Sequence, residues 1–500
     1  MAGQHEAPDG LMAAFHAYER ALMDDDLDAM ARLFAPGADT LRGDAEGLLV
    51  GHEEITGFRR GRGGAPRRRL VGTEVRPLDA DHAVVVAQTE LERGGRGLQT
   101  QVWRREAESG RWQVLVAHVG TPAPALDTRI WRVVGDPLVP GAGTGALAGE
   151  TVAVKDVYAV AGHPIGAGNP ARLAAAETEV QHASVLGQLL AGGADVRGIA
   201  RTDEFAYSIA GANPHHGTPP NPRAARRVPG GSSSGSASAV SLGHASIGLG
   251  TDTAGSIRVP SAYQGLHGIR TTHGLVDRTG LLPLAPSFDT VGWMTHDATL
   301  LRRVGDVLLP TGQYDGLGEL VIVPELLALA TPEVADAVAA RFAGVARTEH
   351  WDGAELLASY RRAFGTCQGF EAWQHHGAWL TGRLDTLGPA ARARFEHAST
   401  ISAAEAEQAL ETLLEARTTI RDFVGDRVVV LPSAASVAPM PAEAEEARER
   451  TLTLTCLASV GGLPAVSLPL STASGLPAGA CLVAARGRDR ALLHLTEALS

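Results

Sequence analysis

Lysine is almost absent. Among the 44 Lys plus Arg residues in a chain of 500, Lys155 is the single lysine and the others are arginine. A bias toward Ala, Arg and Gly explains the general scarcity, because a solvated surface cation can be either residue. It does not explain why one position keeps its lysine. Arginine stays protonated in proteins, whereas a buried lysine amine can lose its proton and act as a base. Cysteine is also scarce. Cys367, Cys456 and Cys481 are too few and too scattered for a disulfide framework or a metal site, and read as reduced, partly buried residues. No stretch approaches the roughly 18 apolar residues of a membrane span. The opening MAGQHEAPDG has no basic segment followed by an apolar run, so secretion and membrane insertion are not expected and a cytoplasmic location is. The net charge of −12 disfavours general nucleic-acid binding. Arg59, Arg62 and Arg67 to Arg69 form a local basic cluster, read as a solvated face or a small anionic-ligand site. A phosphate loop of the GxxxxGK type is excluded, because Val154 precedes the only lysine.

An apolar fraction of 44% is ordinary for a chain that buries large cores. Residues 11 to 34 carry apolar side chains at helical spacing, with Leu11, Phe15, Tyr18 and Leu22 in one set and Leu27, Met30 and Phe34 in another. Four strand-like runs follow, near 70 to 78, 83 to 92, 98 to 105 and 111 to 118, separated by turns such as Glu92 to Gly97. This pattern predicts a small α+β domain over 1–120. A Pro- and Gly-rich linker is expected over 121–145, with Pro122, Pro124, Pro137, Pro140 and Gly141 to Gly145. From 146 to 500 short apolar strands alternate with Ala-rich helices, which predicts an α/β domain with a largely buried mixed sheet flanked by helices. Thr151 to Val154, Ile247 to Leu249 and Val428 to Leu431 are its expected strands. Helices are expected around 182 to 191, through about 331 to 423 and at 491 to 499.

Three segments carry chemistry together: VAVKDVY around Lys155, PGGSSSGSAS from Pro229 to Ser238, and GTDTAGSIRVPSA from Gly250 to Ala262. A Gly/Ser run is often a flexible linker. This one is flanked by VSL and an apolar strand-like segment, which points to a tight backbone site inside a core. Acyl transfer needs a nucleophile, a base and oxyanion donors. Ser256 offers the nucleophile, and the turn from Thr251 to Ser256 offers backbone amides. His244 and His267 are the only histidines in or near these segments, and both read as structural. Lys155, at the end of a short strand, can be buried where desolvation favours the neutral amine. A salt-bridged Lys155 would instead be a poor base. Asp156 need not pair with it, since neighbouring strand residues face opposite sides.

In order and spacing, GGSSSGSA, GTDTAGSIRVPSA and VAVKD resemble the amidase signature family. The resemblance implies a Ser-cisSer-Lys triad with Lys155 as base, Ser232 as bridging serine and Ser256 as nucleophile. Ser232 is preferred over Ser233 and Ser234 because the family's bridging serine directly follows the paired glycines. It further implies a cis peptide between Gly231 and Ser232, an oxyanion hole from the amides of Thr253, Ala254, Gly255 and Ser256, and no metal or organic cofactor. Ala254 departs from the family's usual glycine, and alanine does not take a positive φ comfortably.

GAGNPARL, DEFAYSIAGANPHHGTPPNP and LPLAPSFDTVGW are most similar to plant indole-3-acetamide hydrolases. That implies cleavage of a small primary amide, with an arylacetamide favoured, and makes Phe205, Tyr207 and Trp293 candidates for an apolar pocket or for core packing. The front 120 residues, through AYERAL, LRGDAEGLLVGHEEITGFRRGR, TQVWRR and VAHVG, resemble the cone-shaped domains related to nuclear transport factor 2 found in cyanuric acid and oxalurate breakdown. By that resemblance Tyr18, Arg42, Glu53, Arg59, Gln101, Trp103 and His118 face the cone's cavity, where arginines suit a carboxylate. A dimerisation module is the other reading, and a homodimer is expected. His52-Glu53-Glu54-Ile55-Thr56 is not a zinc motif, because HExxH needs His at the fifth place. Two further functions stay open: both domains acting on carboxylated ureas, biuret or oxalurate, and a subunit of a tRNA-dependent amidotransferase.

Overall fold

In this computed structural model, residues 7–44, 47–62, 65, 67–91, 96–120, 127–312 and 316–500 are described. The turn expected from Glu92, and Pro122 and Pro124, lie outside them. Chain contacts divide the protein into two units, Met1–Ala125 and Leu126–Ser500.

The front unit begins with helices Leu11–Met23 and Leu27–Leu33. The helical spacing of Leu11, Phe15 and Tyr18 buries all three against Met30, Phe34, Trp103 and Val114. Asp26 caps the second helix by accepting from the Ala29 amide at 2.9 Å. Four long strands, Arg68–Pro77, His82–Leu91, Arg96–Arg105 and Trp112–Gly120, form an antiparallel meander. Period-two burial of Ala83, Val85 and Ala87 sets which face meets the helices. The sheet also holds a hairpin, Leu41–Asp44 with Gly47–Val50, whose first strand runs parallel to Trp112–Gly120. That hairpin and the helix His52–Arg62 were not expected. The strands are four residues each, and the helix has only Ile55 and Phe58 as large apolar residues, so neither carries a legible period.

In the second unit an 11-stranded mixed sheet forms the frame. Thr151–Lys155 lies between Ile247–Asp252 and Asp195–Ala200, parallel to both. Its neighbours on each side and helices on each face bury Val152, Ala153, Val154 and Lys155 completely. Ile247–Asp252 then pairs antiparallel with Thr290–Thr295, and the sheet continues through His267–Arg270 to the strands Ala465–Ser471, Pro477–Val483 and Val428–Pro432. The long helices Leu357–Leu380, Pro389–Thr400, Ala403–Val424 and Ala444–Gly461 pack against one another. No helix among the described residues is long and apolar enough to cross a membrane.

The stretch expected as a linker is partly sheet. Trp131–Val139 is the edge strand, antiparallel to Asp195–Ala200. Pro137 follows a cis peptide in it and is tolerated because an edge strand has one unpaired side. Ile130 and Trp131 anchor the strand by packing with Ala153, Ala200 and Ala239. The run IWRVV outweighs the Pro and Gly that surround it.

The Gly/Ser-rich segment forms the helix Ser234–Ser241, buried along its whole length. Small side chains let its backbone approach the sheet: a Cβ on Gly235 would meet Arg201 O at 2.5 Å and Ile130 O at 2.7 Å. Gly235→Ala is therefore expected to destabilise the fold by on the order of 3 kcal/mol through backbone overpacking. An unchanged urea midpoint would contradict this close approach.

Candidate active site

Lys155 ends its strand with the side chain in the interior and 0% exposed. Its Nζ lies 2.8 Å from Ser232 Oγ and donates to Thr251 Oγ1 at 2.8 Å. Ser232 Oγ in turn lies 3.1 Å from Ser256 Oγ. The peptide between Gly231 and Ser232 is cis. Ser233 and Ser234 are turned elsewhere: Ser233 Oγ pairs with the Thr251 backbone, and Ser234 Oγ donates to Asp203. One continuous hydrogen-bonded line thus runs from amine to Ser232 to Ser256.

Burial drives the Lys155 amine down from the usual lysine value to about 7, against the partly offsetting fields of Asp203, Asp289 and Asp252. None of these carboxylates pairs with the amine. Asp203 accepts from the Gly211 amide at 2.9 Å and from Ser234 Oγ at 3.1 Å, and burial raises its carboxyl. Asp289 accepts from Thr253 Oγ1 at 2.5 Å and from the amides of Leu284 and Ala285. Asp156 points away and pairs with Arg132 Nε at 3.0 Å, as strand alternation requires. The salt-bridged alternative for Lys155 is not what the structure contains.

Asp252 ends the neighbouring strand and organises the turn that carries Ser256. Its carboxylate accepts from the amides of Gly255 at 2.9 Å and Ile257 at 3.1 Å. It also pairs with the buried guanidinium groups of Arg258 and Arg270 at 2.9 and 3.1 Å. Although burial alone would raise it, these two arginines hold the Asp252 carboxyl well below the usual carboxylate range. Thr455 Oγ1 supports the turn from the helix behind it, donating to Ala254 O at 2.6 Å.

The positive φ of this turn falls on Gly255, at +121°, and Ala254 is not among the positive-φ residues. Alanine therefore fits where the resemblance leads one to expect glycine. Of the four amides expected to face an oxyanion, that of Gly255 is already taken by Asp252, which corrects the expectation for that residue. The amides of Thr253, Ala254 and Ser256 have no acceptor among the described residues.

The two histidines stay outside this arrangement. His267 faces His296 O at 3.2 Å and Ser500 Oγ at 3.0 Å, and His244 makes no side-chain contact with the triad. Trp293 is core, donating from Nε1 to Leu301 O. Phe205 and Tyr207 join Phe395 in an aromatic cluster, with ring centroids 5.5 and 5.3 Å from it. Phe205 and Ala206 both have positive φ, in the segment that begins at Asp203. Thr202, just before that segment, donates from Oγ1 to Ser232 O at 2.8 Å.

In the front unit, Tyr18, Gln101 and Trp103 are buried together. Tyr18 meets Trp103 edge-on at 6.2 Å, and Trp103 Nε1 donates to Gln101 Oε1 at 2.9 Å. The Arg59 guanidinium lies over the Phe34 ring at 4.3 Å. Arg42 is buried over Phe58 and paired with Asp44 at 2.7 Å. Glu53 and His118 are exposed and do not face this interior. Ile55 turns the helix's apolar side inward, which leaves Glu53 outward, and Ala117 takes the inward position next to His118.

Sequence reasoning missed Thr251, Asp203, Asp289 and Thr455. Thr251 and Asp252 lie in the GTDTAGS segment, where parity along the strand would have placed them; Asp289 and Thr455 have no local signal.

Together the fold and this geometry define an amide-hydrolysing enzyme. A family model described as Amidase matches residues 136–315, and one described as AtzH-like matches residues 5–124. Amidase 1 of Arabidopsis thaliana is 34% identical over 396 residues, covering 71% of this chain and 93% of that protein. A solved structure described as a crystal structure of amidase has a TM-score of 0.67 and 26% identity, covering 74% of this chain and 91% of that one. Another, described as an unexpected vestigial protein complex that reveals the evolutionary origins of an s-triazine catabolic enzyme, has a TM-score of 0.65 and 25% identity, covering 71% and 83%. The chain belongs to the amidase signature family and carries an AtzH-like front domain.

Asp252→Asn should destabilise the protein by about 3 to 5 kcal/mol, because it leaves two buried guanidinium charges short of their counter-charge. Equal denaturation midpoints for variant and wild type would remove Asp252 from this organising position.

Proposed function

We propose that the protein hydrolyses a small primary amide, an arylacetamide such as indole-3-acetamide, to carboxylate and ammonia through an acyl-enzyme on Ser256. The observation that carries the reading is the buried line from Lys155 through Ser232 to Ser256, at 2.8 and 3.1 Å. A neutral Lys155 takes the proton of Ser232 as Ser232 takes that of Ser256, and Ser256 Oγ attacks the carbonyl carbon. The hydroxyl hydrogens are free to rotate into these directions. The oxyanion is received by the amides of Thr253, Ala254 and Ser256. On collapse the C–N bond breaks, and the proton returns along the same line to the leaving nitrogen as ammonia. Water then enters by the reverse proton path and releases the acid. Every proton has a donor and an acceptor among these side chains, so the steps call for no metal or organic cofactor.

The AtzH-like front domain and the likeness to a structure from s-triazine catabolism favour a second reading. In it both domains act in sequence on a carboxylated urea, biuret or oxalurate. Ammonia release from indole-3-acetamide, benzamide, oxalurate and biuret, with and without residues 1–120, separates the two. Turnover only of the last pair would sink the arylacetamide reading.

Ser256→Ala and Lys155→Arg should each lower kcat by at least about a thousandfold, the second despite preserving charge, because arginine stays protonated. Wild-type rates for Lys155→Arg between pH 6 and 9 would rule out its role as base. In the wild type, kcat/KM should climb about tenfold from pH 6 to pH 8, since the active form is the neutral amine and its pKa is about 7. A flat profile over that range would separate Lys155 from proton transfer.

A further inference from the structure

Between the helices Leu357–Leu380 and Ala403–Val424 lies a cavity of about 520 Å³ that none of the triad residues lines. That volume falls within the range of small-molecule sites, roughly 300 to 1,000 Å³. Three guanidinium groups, of Arg417, Arg421 and Arg486, gather at one end. Arg417 Nε donates to Val460 O at 3.0 Å, Arg421 Nε to Gly461 O at 2.8 Å, and Arg486 Nη2 to His273 O at 3.1 Å. No carboxylate among the described residues pairs with any of them.

Part of this has a structural explanation. Val460 and Gly461 are the last residues of the helix Ala444–Gly461, and cations near a helix C-terminus satisfy its free carbonyls. That accounts for the Nε atoms of two arginines. It leaves their remaining nitrogens, and the arrival of Arg486 from another segment, unexplained. Burial, then Arg486, lowers the Arg417 guanidinium, and burial followed by Arg417 and Arg486 lowers that of Arg421. Like charges held together without a counter-charge make a local field that attracts anions.

The lining also carries acidic groups. Glu371 and Glu407 line it, and Glu371 Oε2 is already committed to the Ser287 amide at 2.9 Å. On the shared helix, Arg417 is about 15 Å from Glu407 along the axis. Phe288, Phe370 and Leu410 line the same cavity. The two glutamates disfavour a second anionic group, and the apolar residues disfavour a bare inorganic ion.

We propose that this cavity is a second, non-catalytic site for an organic monocarboxylate with an apolar body, whose carboxylate meets Arg417, Arg421 and Arg486 and whose body packs on Phe288, Phe370 and Leu410. The site stands independently of the reaction assigned to Ser256. Its wall nevertheless reaches a residue that holds the turn of Ser256, because Phe288 precedes Asp289, which accepts from Thr253 Oγ1.

The test titrates the full-length Ser256→Ala chain calorimetrically with phenylacetate, and with phenylacetamide and inorganic phosphate as neutral and apolar-free probes. Arg417 and Arg421 also hold the end of a helix, so the cavity is altered instead at Arg486→Gln and Leu410→Asp, both exposed positions. Saturable phenylacetate binding is expected, at least about tenfold tighter than either probe. Each substitution should weaken it by about tenfold with the thermal midpoint unchanged. The proposal is overturned by absent phenylacetate binding, by equal binding of phosphate, or by binding that survives both substitutions and so belongs to the catalytic pocket.

Discussion

An amine held in the interior without a carboxylate partner is the constraint on which the rest depends. Lowering Lys155 from the ordinary lysine value to about 7 corresponds to on the order of 5 kcal/mol of disfavour for its charged form. Burial on both faces of the central sheet supplies that disfavour. The surrounding chain then has to keep acids nearby from neutralising the effect. Asp203, Asp252 and Asp289 are all close enough to be felt, yet each is occupied by backbone amides, hydroxyls or arginines. Thr251 and Ser232 give the amine neutral oxygen partners instead.

The same carboxylates do the positioning. Asp252 draws the amides of Gly255 and Ile257 around itself and so curls the chain that presents Ser256. Asp289 fixes Thr253 at the start of that turn, and Thr455 fixes Ala254 from behind. Of these three anchors, Asp289 and Thr455 come from distant parts of the sequence. The turn is therefore set jointly by local Asp252 and by distant residues of the second unit, and its one positive φ falls on Gly255, which leaves Ala254 in an ordinary conformation.

The arrangement of the three side chains was legible where it is local. Lys155, Ser232 and Ser256 stand in short segments whose residue types already fit acyl transfer, and the sheet strands around them show as short apolar runs. The carboxylates' roles were not legible, because a buried aspartate that accepts amides looks in sequence like any other aspartate. The edge strand Trp131–Val139 was hidden by the prolines and glycines around it, although its apolar core IWRVV is visible in retrospect. Glu53 and His118 matched a pattern of residue types but not the direction of their side chains, which is set by Ile55 and Ala117. The cavity between the two long helices arises from tertiary packing alone.

The one ε-amine of the chain is also wholly enclosed, and this reaches beyond catalysis. Acylating reagents, and any cellular machinery that attaches acetyl or ubiquitin groups to lysine, find no side-chain amine on the folded surface. Only unfolding presents one. The chain thus carries a built-in reporter of its folded state, in which side-chain amine reactivity and loss of structure are the same event.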